Sequence, residues 1–293
     1  MKYGLIGEKL GHSFSKEIHE MIGYYNYEIH EVAKTDIDHF MKEKNFIGIN
    51  VTIPYKETVI PYLDEIDNVA LRIGAVNTII NVDGKLKGFN TDYYGMKALI
   101  NKADIDCYNK KVLILGTGGT SKTAYALAED LGAKIILKVS INNEEGTITY
   151  DEAISIHNDA DVIINTTPVG MYPKNEGCII DLKHFKSLSG VVDVVYNPLR
   201  TVLVQNAKDL NIKATAGLYM LVGQAVYASG ILLKLIPAFL IILASSLTVI
   251  EASISARPLT AVWSSLSASN FFAVQGITDT LTISLGSILF FSA

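Results

Sequence analysis

The sequence predicts an α/β fold whose second half is a parallel, doubly wound sheet. Three observations carry this. From Lys111 to Val195, apolar runs of β-type residues alternate with helical stretches, the pattern of βαβ units. The run Lys111–Leu115 passes into Gly116-Thr117-Gly118-Gly119-Thr120 and then into a helix reaching about Leu131. A strand, a glycine-rich turn and a helix N-terminus together cradle a pyrophosphate, although the strict pattern wants a third glycine where this chain has Ser121. In the first half another apolar run, Phe46 to Val51, leads into Thr52-Ile53-Pro54-Tyr55-Lys56. Pro54 stops the strand, and the turn presents Thr52 and Lys56 together, with Asn50 placed to join them.

Composition bounds the rest. The 293 residues suffice for two modest domains. A net charge of −5 offers no basic surface to nucleic acid. Cys107 and Cys178 lie far apart without a CxxC spacing, which fits a reducing compartment and no metal site. The first residues, MKYGLIGEKLGHS, lack the long apolar stretch of a signal peptide, so the expected location is the cytoplasm. Of the charged residues, only Glu251, Arg257 and Asp279 lie beyond 234, in a segment holding sixteen Ser or Thr among many Leu, Ile, Ala and Phe.

The elements follow in order. Lys2 to Gly7 reads as a strand ending in a glycine turn. Gly11-His12-Ser13-Phe14-Ser15 is a polar loop in which Ser15 is placed to cap a helix from Lys16. Ser13 and Ser15 are either turn and cap residues or a pair of hydroxyls binding a carboxylate at a helix N-terminus. His19, one turn further, reads as packing. Tyr27–Val32 and Phe46–Val51 read as strands flanking a helix over Ile37–Lys44, and Thr58–Ile73 as a helix with Pro61 near its start. The strand Ile79–Val82 reaches Asp83-Gly84, a hairpin signal, and its return ends at Asp92. By itself Asp92 reads as the N-cap of a helix from Tyr93. After the glycine-rich turn, strands are expected at Ala133–Val139, Asp161–Asn165 and Gly190–Val195.

Eight motifs then occur in register over residues 1–229: GHSFS, NVTIPYK, GAVNT, GFNTD, GTGGTSKTA, NTTPVGM, DVVYNP and GLYMLVGQA. Together they resemble shikimate dehydrogenase. The resemblance implies an N-terminal α/β substrate domain over 1–101, completed by a helix over 217–233, and a Rossmann-type doubly wound NADP-binding domain over 102–216. It implies reversible NADPH-dependent reduction of 3-dehydroshikimate to shikimate in aromatic amino-acid biosynthesis. Lys56 then matches the catalytic lysine and Asp92 its paired aspartate. Ser13, Ser15, Thr52, Asn77, Tyr196 and Gln224 match substrate contacts. Gly116, Thr117, Gly118, Gly119, Thr120, Lys122, Val194 and Gly217 match the cofactor site. A lysine hydrogen-bonded to an aspartate can supply a proton to an alkoxide and stabilise it.

Four departures from the family pattern bear on this. Lys16 replaces a proline and Asn68 a carboxylate. Ser140-Ile141-Asn142 stands where the family has Asn-Arg-Thr, so the guanidinium that grips the 2′-phosphate of NADP is missing. Lys122, at the helix start, still matches a basic position of that phosphate site, so NADP is expected, with NAD possible and a modest preference between them. Beyond about Gly230 the likeness fades. Leu235–Ile250 is uncharged and contains Pro237. As a helix it would span roughly 24 Å, short of the roughly 30 Å of a bilayer core. The tail over 234–293 reads as an unusual packed region, a non-native extension or, as the minority reading, a membrane anchor. The expected partner is the small-molecule substrate, in a monomer or homodimer. A quinate/shikimate dehydrogenase using NAD, a methylenetetrahydrofolate-type dehydrogenase and a non-catalytic binding paralogue are the alternatives, and retention of both Lys56 and Asp92 argues against the last.

Overall fold

Two six-stranded sheets stand side by side along the chain. The computed structural model describes residues 1–233 except His12, Tyr24 and Asn143. The expectations for 234–293 lie outside the described residues.

The first sheet is built from β1 (Tyr3–Gly7), β2 (Glu28–Glu31), β3 (Gly48–Val51), β4 (Glu65–Ile66), β5 (Thr78–Val82) and β6 (Lys85–Phe89). Helices α1 (Ser15–Ile22), α2 (Ile37–Glu43) and α3 (Asn68–Ile73) connect them. The spatial order is β2-β1-β3-β5-β6-β4. β1 runs parallel to both neighbours, and β5 runs antiparallel to β3 and β6. Every residue of β3 is buried, as expected of a strand covered on both faces. Asp83 and Gly84 have φ of 54° and 83°, the left-handed pair that a two-residue hairpin turn requires.

Three expectations for this half need correction. Thr58–Ile73 is not one helix. It divides into a 3₁₀ turn at Ile60–Tyr62, then β4, then α3. Pro61 lacks the amide proton needed to propagate a helix, and two aspartates divert the backbone. Asp64 accepts from the Leu86 amide at 2.7 Å, and Asp67 caps α3 through the Val69 amide at 3.0 Å. Ser15 is not a cap: it is the first residue of α1, Phe14 occupies the cap position, and the Ser15 amide donates to Ser13 Oγ at 3.3 Å. Asp92 is likewise inside its helix, with Thr91 at the cap position.

Helix α4 (Asp92–Lys102) leads to the second sheet. There β7 (Lys111–Leu115), α5 (Gly119–Asp130), β8 (Ile135–Val139), β9 (Thr147–Ile148), α6 (Tyr150–Ser155), β10 (Val162–Asn165), β11 (Gly190–Asp193), α7 (Val202–Asp209) and β12 (Lys213–Thr215) follow in turn. The order β12-β11-β10-β7-β8-β9 is parallel throughout. The winding reverses between β7 and β10, which opens a crevice at the carboxyl ends of these strands.

Helix α8 (Leu218–Leu232) then returns from the second sheet and packs on α4 and α1. It is apolar nearly all round, as a helix buried on most sides must be. Its crossing with α4 depends on two glycines, since a Cβ on Gly223 would lie 3.1 Å from the Gly95 Cα. The central core, including Met96, Leu99, Ile114, Leu127, Ile164 and Met220, lies between α4, α5, α8 and the second sheet.

Candidate active site

The site lies at one edge of the first sheet because of its register. Gly7 of β1 and Val51 of β3 end at the same edge, the loops after them carrying Ser13 and Ser15, and Thr52 and Lys56. β5 is antiparallel, so its start, beside Asn77, comes to that edge. Phe89 of β6 pairs with Thr78 and brings Asp92 there as well. The second sheet contributes its carboxyl ends, with the glycine-rich turn after β7, Val194 to Tyr196 after β11, and Gly217 after β12.

These residues enclose a cavity of about 640 Å³, with Ser13, Ser15, Thr52, Lys56, Asn77 and Asp92 on one side. Thr120, Val194, Tyr196 and Gly217 line the other, and Gln224 reaches in from α8. All eight expected substrate contacts therefore share one wall system. Gly116, Thr117, Gly118, Gly119 and Lys122 lie next to this lining, on the turn and the start of α5. A depression of about 800 Å³ is bounded by Pro168–Gly177 alone and contains none of the expected residues.

At the centre, Lys56 Nζ donates to Asp92 Oδ2 at 2.5 Å, with side chains 17% and 11% exposed. So little solvent screens the pair that a charged oxygen placed beside Nζ would be stabilised strongly. The surrounding polar groups divide into those used by the fold and those left for a ligand. Asn50, expected to join Thr52 and Lys56, is consumed by the fold. Its Oδ1 accepts from Tyr27, and its Nδ2 donates to Asn77 O and Thr78 Oγ1. Asn77 Oδ1 accepts the Thr91 amide at 2.7 Å, which directs its Nδ2 to the cavity. Ser13 Oγ and Ser15 Oγ are 3.1 Å apart. Gln224 Nε2 donates to Leu221 O at 3.0 Å, leaving Oε1 as an acceptor.

Tyr196 is positioned by residues that sequence reasoning missed. Asp193 is fully buried and accepts from Asn165 Nδ2 at 3.0 Å, the Val195 amide at 3.1 Å and Thr201 Oγ1 at 2.6 Å. Burial pushes its carboxyl up, against these hydrogen bonds. The signal was present in DVVYNP and NTTPVGM, since an aspartate that ends a buried apolar strand needs local donors. Burial also raises the Tyr196 phenol, so its hydroxyl stays protonated, and Phe14 meets its ring edge-on at 6.0 Å. His19 is buried and stacked on Tyr27 with ring centroids 4.1 Å apart, a packing role as expected.

The glycine-rich turn fits a dinucleotide. Gly116 has φ of 102°, and a Cβ there would lie 2.9 Å from the Thr167 side chain. At Gly217 a Cβ would be 2.0 Å from the Val194 carbonyl oxygen, so only glycine keeps this wall of the crevice in place. A Cβ on Gly119 would come within 4.0 Å of Lys56 Cδ; the turn and the Lys56–Asp92 pair thus adjoin. Lys122 Nζ forms an ion pair with Glu57 at 2.7 Å. Ile141, two residues beyond the end of β8, is 83% exposed. Among the described residues no group of acidic, histidine or cysteine side chains could hold a metal, and no helix is long and apolar enough to cross a membrane.

Comparison with known proteins agrees with this geometry. The family profile described as "Shikimate dehydrogenase substrate binding domain" matches residues 5–79. A shikimate dehydrogenase (NADP(+)) of Clostridium perfringens is 40% identical over 247 residues, covering 78% of this chain and 91% of that one. The chorismate mutase/shikimate 5-dehydrogenase fusion protein of Clostridium acetobutylicum superposes with a TM-score of 0.78 at 38% identity, covering 87% of this chain and 98% of that one. Shikimate 5-dehydrogenase of Thermus thermophilus, solved in complex with NADP(H) and shikimate, gives a TM-score of 0.75 at 25% identity over 86% of this chain and 99% of that one. With the Lys56–Asp92 pair beside a glycine-rich turn and this degree of identity across both sheets, the chain belongs to the shikimate dehydrogenase family.

Proposed function

We infer that this protein is an NADP-dependent shikimate dehydrogenase, an oxidoreductase that interconverts 3-dehydroshikimate and shikimate in aromatic amino-acid biosynthesis. The observation that carries this reading is the Lys56–Asp92 pair on the wall of a cavity that the glycine-rich turn adjoins. The C. perfringens relative is named for this activity with NADP(+), and the T. thermophilus relative was solved with NADP(H) and shikimate. Residues 1–101 with 217–233 form the substrate domain and 102–216 the dinucleotide domain. The protein acts in the cytoplasm on a small-molecule substrate.

Gly116–Thr120, Val194 and Gly217 would hold NADPH, and the bound cofactor would supply a hydride for the ring ketone. The protein's own groups do the rest. Ser13 and Ser15 donate to the substrate carboxylate. Thr52, Asn77, Tyr196 and Gln224 hold the ring hydroxyls, so a rigid ring is oriented before reaction. Lys56 Nζ stabilises the oxygen that gains charge in the transition state and delivers a proton to it. Asp92 keeps that ammonium in place. Neither lysine nor aspartate needs a metal to do this.

The test is steady-state oxidation of shikimate with NADP by wild type and Lys56→Ala, together with shikimate binding measured by calorimetry. Lys56→Ala should lower kcat by about 10² or more with binding nearly intact, the usual contribution of general acid–base catalysis. A normal kcat in the variant would remove Lys56 from the mechanism, and a wild type without shikimate oxidation would remove the function.

A further inference from the structure

The segment after β8 brings an acid, and no cation of its own, to the glycine-rich turn. β8 lies beside β7, so the chain leaving β8 passes the glycine-rich turn. In dinucleotide-binding folds this strand end meets the adenosine ribose. A carboxylate there accepts from the free 2′-hydroxyl, whereas a guanidinium there accommodates a 2′-phosphate. In this chain Ser140-Ile141-Asn142 supplies no cation. Its backbone folds back locally, the Asn142 amide donating to Ser140 Oγ at 3.1 Å. That turn brings Glu144 to the glycine-rich loop: Glu144 Oε1 accepts from Asn142 Nδ2 at 3.4 Å and from Thr117 Oγ1 at 3.5 Å. The neighbouring cations are directed elsewhere. Lys122 is paired with Glu57, and Lys138 sits 5.5 Å from the Tyr125 ring centroid.

Resting on the reading of 102–216 as a dinucleotide domain, we propose that Glu144 is the ribose-selecting residue of this site. Held by Thr117 and Asn142, its carboxylate accepts from a free 2′-hydroxyl and opposes a 2′-phosphate. The preference for NADP(H) is thereby reduced until NAD(H) is a working second cofactor. Ile141 contributes by omission, since among the described residues no guanidinium balances Glu144. Glu57 acts in the same direction, because its ion pair competes for Lys122.

Equilibrium titration of the intact protein with NADH and with NADPH, followed by nicotinamide fluorescence, tests this without turnover. In wild type the two Kd values should lie within about tenfold of each other. Glu144→Gln should move their ratio about tenfold toward NADPH, by removing repulsion between a carboxylate and a phosphate dianion. Ile141→Arg should move it the same way through a charge-assisted, bidentate phosphate contact. If both cofactors bind and Glu144→Gln leaves the ratio unchanged, or wild type binds NADPH over a hundredfold more tightly, Glu144 is not the determinant and the dinucleotide reading stands. If neither cofactor binds, the dinucleotide reading falls and takes the proposal with it.

Discussion

Single residues in this fold are committed either to chemistry or to holding chemistry in place, and hydrogen bonding tells the two apart. Lys56 and Asp92 face the cavity with each other as partners, whereas Asn50 spends every polar atom inside the protein. His19 belongs to the second kind and has a measurable consequence. Its ring is fully buried, its Nδ1 meets the hydroxyls of Tyr25 and Ser229, and its Nε2 has no partner among the described residues. Burial lowers its pKa from 6.5 to about 3. The unfolded chain therefore binds a proton at His19 that the folded chain refuses, and stability falls as pH drops below 6.5 toward 3. Asp130, held down to about 2 by its hydrogen bond with Arg72, loses its contribution only below the ordinary carboxylate range, so pH 6.5 to 5 isolates His19 from it. Between those values wild type should lose about 2 kcal/mol through this group. His19→Phe, which keeps the stack on Tyr27, should lose much less over the same interval. Urea unfolding at both pH values measures this, and equal losses in the two proteins would contradict it.

At the scale of elements, the crossing of α4 and α8 ties the substrate pocket to the second sheet. Asp92 starts α4 and Gln224 lies on α8, so the angle between the helices sets the distance between two walls of the cavity. Gly95 permits that crossing. A Cβ at this position would lie 2.5 Å from the Met220 carbonyl oxygen and 2.8 Å from the Gln224 amide, both backbone atoms of a packed helix. Gly95→Ala should therefore displace α8 and Gln224 with it, at about 1–3 kcal/mol of stability, the usual range for overpacking. The expected readings are a lower Tm and a several-fold higher KM for shikimate. An alanine variant matching wild type in both would mean that α8 moves freely without disturbing the pocket. Legibility at this scale was uneven. The run at β7 was legible to the residue because four apolar residues, Val112 to Leu115, end at a glycine turn. The stretch Thr58–Ile73 was misread because its helical composition is overruled by Asp64 and Asp67, whose partners lie on β6 and in α3.

For the whole molecule, every residue assigned to substrate or cofactor lies between Ser13 and Gln224, and α8 closes the structure on the first sheet. Leu232 is buried among Leu5, Leu10 and Tyr27 and fills the space over Gly48. A chain ending at Leu233 should thus bind shikimate with a Kd within about threefold of the full chain, a difference well below 1 kcal/mol. A chain ending at Ala216 should lose binding, since it lacks Gln224 and exposes the core beneath α8. Calorimetric titration of both distinguishes them. Loss of binding by the chain ending at Leu233 would show that later residues complete the pocket.

Lys56 and Asp92 became candidates only through eight motifs in register, whereas the local signals in this chain were sufficient for the βαβ series, the glycine-rich turn and the Asp83-Gly84 hairpin. Each depends on neighbours in sequence: apolar period, turn chemistry, or a motif of a few residues. Spacing could not show that Lys56 and Asp92, 36 positions apart, meet at 2.5 Å. That follows from β5 and β6 running antiparallel, which returns Asp92 to the edge where β3 ends. Nor could it show that Asn50 is spent inside the fold, that Asp193 carries the Tyr196 turn, or that Glu144 reaches Thr117. Those roles are settled by long-range pairing, because a polar side chain acts on a ligand only where the packed chain leaves it without a partner.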